Sequence, residues 1–179
     1  MFRFALPIAA ACGLIAAGPA AAGQFHLTSP AFADHAGVPG RFTCSGRGLS
    51  PPLAWNGAPS GARSFVLVVS DPDAPDPAHP THTFVHWVVT YLPPGVRSLA
   101  AGASQSMPAG TRPGRNGAGD TGYVPLCPPV GRHRYFFRLY ALDTALSLPA
   151  DTDRKALLRA IKGHVLARAV LVGTFAHSP

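Results

Sequence analysis

The chain has 179 residues, of which 47% are hydrophobic, so its length and composition exclude a disordered protein and suit one domain with a buried core. The formal net charge is +7, from 15 basic and 8 acidic residues, and no glutamate occurs in the sequence. Such an excess favours anionic partners, such as phospholipid headgroups, phosphorylated ligands or nucleic acid. The basic residues are scattered, however, and form no nucleic-acid motif, so we expect no nucleic-acid partner.

The first 22 residues have the three parts of a secretory signal peptide. Arg3 provides a short positive region, residues 4–17 are apolar, and residues 20–22 are three alanines that suit signal peptidase. We predict cleavage after Ala22 and a mature protein of residues 23–179 that folds as a single domain. Its location is then periplasmic or secreted.

Two other interpretations of this N-terminus are less favoured. A membrane anchor needs a longer apolar stretch than this one, which Gly18 and Pro19 interrupt. A lipoprotein signal ending at Cys12 would need an unusually short leader, and Ala9 is a poor residue three positions before the cysteine. After removal of the signal, no transmembrane segment is expected.

The mature chain is predicted to be mainly β. Runs of β-branched and aromatic residues bounded by turn residues predict strands at 41–44, 53–55, 64–69, 83–91, 133–142 and 165–175. The long segment 95–131 is rich in glycine and proline and has no periodicity. A loop of that length in a compact domain is usually functional.

Alternation along the strands predicts which side chains share a face. In strand 83–91 one face would carry Phe84, His86, Val88 and Thr90, and the other Val85, Trp87, Val89 and Tyr91. In strand 133–142 one face would carry His133, Tyr135, Phe137 and Leu139, and the other Arg134, Phe136, Arg138 and Tyr140.

A helix is predicted over about 151–162, late in the chain. Asp151 or Thr152 can cap its start, and Gly163 ends it. Its apolar stripe would consist of Leu157, Leu158 and Ile161.

Two cysteines remain in the mature chain, Cys44 and Cys127. In an oxidising compartment an even pair is compatible with a disulfide. Two buried free thiols, too far apart to bond, are the alternative. Both interpretations stay open at the level of sequence.

The candidate functional residues are acids and histidines at strand ends. Asp71 and Asp73 follow strand 64–69, and His86 lies inside the next strand, so a hairpin-like return brings them near each other. His133 begins a further strand directly after the Cys-Pro-Pro segment. An acid beside an imidazole fixes its orientation and favours its protonation. The pattern therefore predicts an Asp/His pocket.

Other chemistries are less well supported. The spacing of His79, His82 and His86 resembles zinc ligands, but the first two lie in a proline-broken loop, so we expect no metal. No G-x-S-x-G nucleophile elbow and no phosphate-binding P-loop occur. Ser70 beside Asp71 is too common a pairing to indicate a serine hydrolase.

Four motifs occur in a recognisable order: D-P-D-A-P at 71–75, H-W at 86–87, C-P-P at 127–129 and H-R-Y at 133–135. Together they resemble the phosphatidylethanolamine-binding protein family, also called the Raf kinase inhibitor protein family. The bacterial branch of YbhB/YbcL type is the most similar. The resemblance covers nearly all of the mature chain.

The resemblance implies a PEBP-like fold, in which a large central antiparallel β-sheet packs on a smaller sheet with peripheral helices. It also implies a small anion-binding pocket at the end of the central sheet, which accepts phosphate or a phospholipid headgroup. Carried over motif by motif, the ligand-binding residues would be Asp71, Asp73, Pro75, His86, Pro128, Pro129, His133 and Tyr135.

The function expected from the resemblance is that of an exported, non-enzymatic binding protein without a cofactor. It would hold a phosphate, a phosphorylated amine or a phospholipid headgroup, and could inhibit a kinase or a protease by docking it. A homodimer is compatible with this view. Two alternatives remain open: an acid/base hydrolase that uses His86, His133 and the aspartates, and a protein–protein module with a vestigial pocket.

Overall fold

The computed structural model describes residues 24–176, and all structural statements concern this range. Its strands are β1 His26–Thr28, β2 Leu53–Asn56, β3 Ser64–Asp71, β4 Phe84–Leu92, β5 Ser98–Leu99, β6 Arg112–Pro113, β7 Arg132–Leu142 and β8 Val165–Ala176. A single α-helix, α1, spans Arg154–Ala160, and short 3-10 turns lie at Gly40–Phe42 and Ala103–Gln105. The signal peptide and its cleavage site lie outside the described residues.

The strands form two antiparallel sheets. The central sheet has the order β6-β4-β3-β7-β8, and the smaller sheet has the order β1-β2-β5. Side chains of both sheets share one core, in which Trp55 of β2 meets Phe65 of β3 edge to face with ring centroids 5.8 Å apart. The predicted fold, a large antiparallel sheet packed on a smaller one, is confirmed.

A second, smaller core lies on the other face of the central sheet. There Val66, Val68 and Val88 pack against Leu157 of α1 and against Ile161, the residue that follows the helix. Burial of β3 on both faces explains why its sequence is a continuous apolar run, with all eight residues buried.

The helix exists but is shorter than predicted and has a different cap. Asp153, rather than Asp151 or Thr152, caps it, since its Oδ1 accepts a hydrogen bond from the Ala156 amide at 2.7 Å. Beyond the helix, Gly163 adopts a φ of 87°, which few other residues tolerate, in agreement with the predicted stop.

The predicted strand at 41–44 is wrong. The chain turns there instead, because the amide of Phe42 donates to the Pro39 carbonyl and that of Thr43 to the Gly40 carbonyl, both at 3.0 Å. This turn is tied to the distant segment before β7 by a disulfide between Cys44 and Cys127, with the two Cα atoms 5.3 Å apart.

Candidate functional site

The ends of β3 and β7 bring an acid and a histidine together. Asp71 is the last residue of β3, and His133 is the second residue of the neighbouring antiparallel strand β7. Both point to the face of the sheet that carries the larger core. Asp71 Oδ2 lies 2.7 Å from His133 Nδ1, and the two residues are 3% and 0% exposed. Asp71 Oδ1 accepts a further bond from the Asp73 amide at 2.8 Å.

The surroundings of His133 select one protonation form. Its Nδ1 faces a carboxylate, and its Nε2 faces the carbonyl oxygen of Val130 at 3.0 Å. Both neighbours accept hydrogen bonds, so both ring nitrogens can donate only when the imidazole is doubly protonated. The geometry therefore favours an imidazolium–carboxylate pair buried at the end of the sheet.

A β-bulge in β4 turns His86 toward the same place. Val69 of β3 pairs with Trp87, but the next residue, Ser70, pairs with Val85, so His86 is an extra residue on β4. Such a bulge re-aims the side chain that follows it. The prediction that His86 shares a face of β4 with Val88 is consequently wrong. His86 contacts the ring of Tyr135 on the side of the larger core, with centroids 5.3 Å apart, and Val88 lies in the core under α1.

The imidazole of His86 is held in one tautomer. Its Nδ1 donates to the Val124 carbonyl at 2.9 Å, and the Val124 amide donates back to the His86 carbonyl at 2.8 Å. Burial lowers the pKa of His86 below its ordinary value of 6.5, so the neutral ring is the stable form at neutral pH. Its Nε2 then carries a lone pair, and this buried atom bonds to no described protein group.

The hydroxyl of Tyr135, next to His86, is a second buried polar atom without a partner among the described residues. Tyr135 is 0% exposed, its hydroxyl bonds to no described protein group, and its ring lies 5.3 Å from that of His86 and 6.3 Å from that of His133. Burial raises the pKa of the Tyr135 hydroxyl, and the negative charge of Asp71 raises it further, so it remains a neutral donor.

These side chains border a pocket of about 320 Å³ at the end of the central sheet. Its lining consists of Asp71, Ala74, Pro75, His82, Phe84, His86, Val124, Pro125, Cys127, Pro128, Pro129 and His133. The wall is mostly apolar and rich in proline, which adds no hydrogen-bond donors. Within residues 24–176 no lysine or arginine lines the pocket, so the positive charge of this described lining comes from His133, which Asp71 balances.

Most of the predicted site residues meet in this lining, namely Asp71, Pro75, His86, Pro128, Pro129 and His133. Asp73 and Tyr135 lie directly behind it. The predicted site did not include Phe84, Val124 and Pro125, which have no polar side chain, or His82, which was placed in a proline-broken loop. His82 is exposed and forms part of the rim. Among residues 24–176, no three His, Cys, Asp or Glu side chains are placed to hold a metal ion.

Asp73 acts through a contact away from the pocket. Its Oδ1 pairs with Arg134 Nη2 at 2.6 Å, and its Oδ2 accepts bonds from Arg134 Nε at 2.9 Å and from the Arg134 amide at 2.8 Å. This bidentate pair joins the segment after β3 to the start of β7. It thereby holds the two strand ends that carry Asp71 and His133.

The Asp73–Arg134 contact predicts a loss of stability in acid. The hydrogen bonds of Arg134 hold the pKa of Asp73 below its ordinary value of 3.8. A lowered pKa stabilises the fold above pH 3.8, and this contribution is lost as the pH falls through the folded-state pKa. When the pH is lowered from 5 to 3, we expect the free energy of unfolding to fall more for the parent than for the Asp73→Asn variant. The measurement is urea unfolding. Equal losses would contradict this account.

Taken together, two packed antiparallel sheets and a proline-walled pocket with a buried Asp–His pair define a β protein with a pocket of small-ligand size at the end of its central sheet. Residues 28–176 match the family described as Phosphatidylethanolamine-binding protein, and the chain belongs to this family. The resemblance stated from the sequence is therefore confirmed.

Relatives and solved structures agree with this assignment. A UPF0098 protein of Methanothermobacter thermautotrophicus is 42% identical over 152 residues, which cover 84% of this chain and 97% of the relative. A Mycobacterium tuberculosis protein named as a lipoprotein, LppC, is 41% identical over 157 residues, which cover 87% of this chain and 74% of the relative.

Two crystal structures are similar to the fold. The PEBP homologue CT736 of Chlamydia trachomatis matches with a TM-score of 0.79 and 41% identity, over 87% of this chain and 99% of that one. E. coli YbcL, described as a member of the mammalian PEBP family, matches with a TM-score of 0.78 and 27% identity, over 87% of this chain and 100% of that one. The chain is thus consistent with the YbhB/YbcL branch. Between residues 24 and 176 no helix has the length and apolar character needed to cross a membrane.

Proposed function

We propose that this chain is an exported, non-enzymatic binding protein that holds a phosphate-type anion in the pocket at the end of the central sheet. The observation that carries the proposal is the Nε2 of His86, a buried polar atom on the pocket wall that bonds to none of the described protein groups. An unsatisfied buried acceptor costs about 1 to 3 kcal/mol, so a ligand that bonds to it recovers free energy on binding.

The charge of the pocket favours a singly charged ligand. The neutral His86 ring offers Nε2 as an acceptor, and a phosphate monoanion carries a P–O–H group that can donate to it. The imidazolium of His133 favours negative charge nearby, but Asp71 offsets most of that field. A dianion would meet no lysine or arginine in the lining. The apolar rim suits the organic part of a phosphate ester.

The same contacts argue against covalent catalysis by a side-chain nucleophile. The pocket lining in the described part of the chain contains no serine or threonine, and Cys127 is bound in the disulfide. Both nitrogens of His133 are engaged, so it lacks a free lone pair to act as a base. Inhibition of a kinase or protease would follow if the bound phosphate belonged to a side chain or lipid on such a partner.

The test is a thermal-shift titration with inorganic phosphate and phosphorylethanolamine. We expect the melting temperature to rise by about 5 to 10 °C when the ligand is about 100-fold above its Kd. His86→Ala should remove the shift. His79→Ala, which changes an exposed loop histidine, should retain it. Equal shifts in His86→Ala and the parent would overturn the proposal, and no shift in any variant would favour a protein–protein module with a vestigial pocket.

The lowered pKa of His86 also predicts a pH dependence of stability. Below pH 7.5 the unfolded chain begins to bind a proton at His86, whose ordinary pKa is 6.5, and the folded chain does not. Stability is therefore present above that pKa and is lost as the pH falls toward the folded-state pKa. We expect a smaller loss for His86→Phe than for the parent between pH 7.5 and 5.5, measured by urea unfolding. Parallel curves would contradict the assignment of a neutral His86.

Ligand binding should become tighter as the pH falls, whereas the stability contribution of His86 becomes smaller. A phosphate monoester dianion takes up one proton at about pH 6 and becomes the monoanion, which is the form that can donate to His86 Nε2. Calorimetric titration with phosphorylethanolamine should accordingly show tighter binding at pH 6 than at pH 8, with uptake of a proton. Binding that is tighter at pH 8 would show that the dianion is preferred.

A further inference from the structure

The central sheet ends in a strand whose outer edge is only partly covered. β8 is the last strand of the order β6-β4-β3-β7-β8. Residues 34–38 run along one part of its outer edge. The His35 amide donates to the Val172 carbonyl at 2.7 Å, the Thr174 amide to the Ala36 carbonyl at 2.8 Å, and the Val172 amide to Asp34 Oδ1 at 2.8 Å. The part of the β8 edge that residues 34–38 cover ends at Val172.

The next part of the edge presents unpaired backbone groups. Backbone groups alternate in direction along a strand, and those of Val172 and Thr174 point outward. The register of β8 with β7 is unbroken from Ala167 to Ala176, so the N–H and C=O groups of Arg168 and Val170 also point outward. No described residue bonds to them, and both residues are exposed.

A groove follows this open edge. It has a volume of about 320 Å³ and lies between β1, which is itself an edge strand, and residues 168–170 of β8. Its walls are formed by Gln24, Phe25, His26, Leu27, Thr28, Asp34, Arg168, Ala169 and Val170. A groove between two strand edges suits an extended chain segment, which satisfies its backbone by pairing with an edge.

The sheet face beside this edge carries Arg168 and Arg138, neither of which forms an ion pair with a carboxylate of residues 24–176. Arg168 is exposed on β8. Arg138 is half-buried on β7, where its Nη1 donates to Ser70 Oγ at 2.7 Å and its guanidinium lies 4.4 Å from the Phe136 ring centroid. The pairing of β8 with β7 sets Arg168 opposite Tyr140 and Val170 opposite Arg138, so the two arginines lie on one face of adjacent strands. Burial, together with the positive charges of Arg154 and Arg168, lowers the pKa of Arg138. A partly desolvated cation next to other cations is stabilised by an anion.

We propose that the open edge of β8 at Arg168 and Val170 binds an extended acidic segment of a partner protein as an added strand. Main-chain bonds to the two outward-facing residues would set its register. Every second side chain of the added strand would lie on the face of Arg168 and Arg138, and acidic residues fit there. The intervening side chains would face β1, where Asp34 is already engaged by the Val172 amide and disfavours acids.

Charge argues against a second copy of this chain as the occupant. In a two-fold pairing of β8 with β8, the arginines of both copies would lie on the same stretch of sheet. The full chain has a formal net charge of +7, and each mature copy keeps +6 once Arg3 leaves with the predicted signal peptide, so this arrangement would bring like charges together. An acidic partner removes that repulsion and is also attracted over a distance.

The probe for the test is a capped, dye-labelled peptide of alternating glutamate and valine, Glu-Val-Glu-Val-Glu-Val, and the matched control peptide has lysine in place of glutamate. Binding is followed by fluorescence anisotropy and by amide hydrogen exchange. We expect the glutamate peptide to bind at least about tenfold more tightly than the lysine peptide, with weaker binding as salt rises above about 0.1 M. The Arg168 and Val170 amides should become protected from exchange.

Two variants separate the backbone and charge contributions. Val170→Pro removes one outward N–H group, and an edge strand tolerates proline at such a position without losing its hydrogen bonds to β7. This variant should abolish the peptide-induced protection of the β8 edge from hydrogen exchange. Arg168→Glu should weaken binding of the glutamate peptide by about tenfold or more. Arg47→Glu, which changes an exposed arginine away from β8, should leave binding unchanged.

Several results would overturn the proposal. Equal binding of both peptides, or protection at another strand, would show that this edge does not select acidic segments. A concentration-dependent dimer that competes with the peptide would assign the edge to a second copy. Binding of vesicles that contain phosphatidylglycerol, unchanged by Val170→Pro and competing with the peptide, would assign the arginines to a lipid surface. All of these results are independent of ligand binding in the His86 pocket.

Discussion

Replacing Asp71 by alanine is expected to lower the free energy of unfolding by about 3 to 5 kcal/mol, because it leaves the buried His133 imidazolium without its counter-ion. Asp71 also loses its bond to the Asp73 amide, so the turn after β3 is weakened as well. The measurement is urea unfolding near pH 7, with the folded state of the variant checked by circular dichroism.

Asp71→Asn is the matched variant that separates charge from hydrogen bonding. The asparagine oxygen can accept a hydrogen bond from His133 Nδ1, but it carries no negative charge. The doubly protonated ring is therefore no longer stabilised by an opposite charge. We expect an intermediate loss of stability, and the His133 ring should change its NMR shifts in a direction that indicates loss of a proton. Asp76→Ala, in the exposed loop that follows, should change stability by less than about 1 kcal/mol. A similarly small effect of Asp71→Ala would contradict the charged pair.

Much of the fold could be predicted because its long strands carry strong local patterns. The run at 64–69 is apolar on both faces, and residues 133–142 alternate clearly, so β3 and β7 were located within two residues. The predicted side of His133 and Tyr135 is also the observed one, since β7 has no bulge between Arg132 and Ala141. Short elements are harder to predict, because few residues carry their pattern. β1 has three residues and is set by its pairing with β2.

The orientation of His86 could not be predicted, because an alternation argument assumes an uninterrupted strand. The bulge arises from the pairing of Ser70 with Val85 and of Val69 with Trp87, which is a property of two strands and not of one. Without it, His86 would share a face with Val88 and point away from Tyr135. The feature that makes the pocket is thus the one that local sequence does not reveal.

Tertiary partners limited the prediction of the site in a similar way. Asp73 belongs to the motif that carries the resemblance, but its carboxylate is taken by Arg134, 61 residues later in the chain. The arginine lies on the face of β7 opposite to His133. Nothing in the spacing of these residues indicates the pair, since it depends on how β3 and β7 meet. The sequence located the segments of the pocket, and the structure assigned their separate tasks.

Removal of the disulfide is expected to have the second large effect. Cys44 and Cys127 are 83 residues apart, and a loop of that size predicts about 4 to 5 kcal/mol of stabilisation through the restricted unfolded chain. The double variant Cys44→Ser/Cys127→Ser should lose this amount in urea unfolding. The parent, unfolded in the presence of a reducing agent, should match the double variant.

Binding should weaken together with stability, because Cys127 lines the pocket next to Pro128 and Pro129. Other contacts join the same segments: the Cys44 amide donates to the Leu126 carbonyl at 3.1 Å, and the Tyr123 hydroxyl donates to the Phe42 carbonyl at 2.9 Å. Tyr123→Phe removes this contact and retains the disulfide, so it should cost only about 1 kcal/mol and leave phosphate binding nearly intact. If the double serine variant is as stable as the oxidised parent, the packing around Phe42 and Leu126 holds the pocket wall without the covalent bond. A large loss that reduction reproduces would show that the wall depends on the disulfide, and hence on an oxidising compartment.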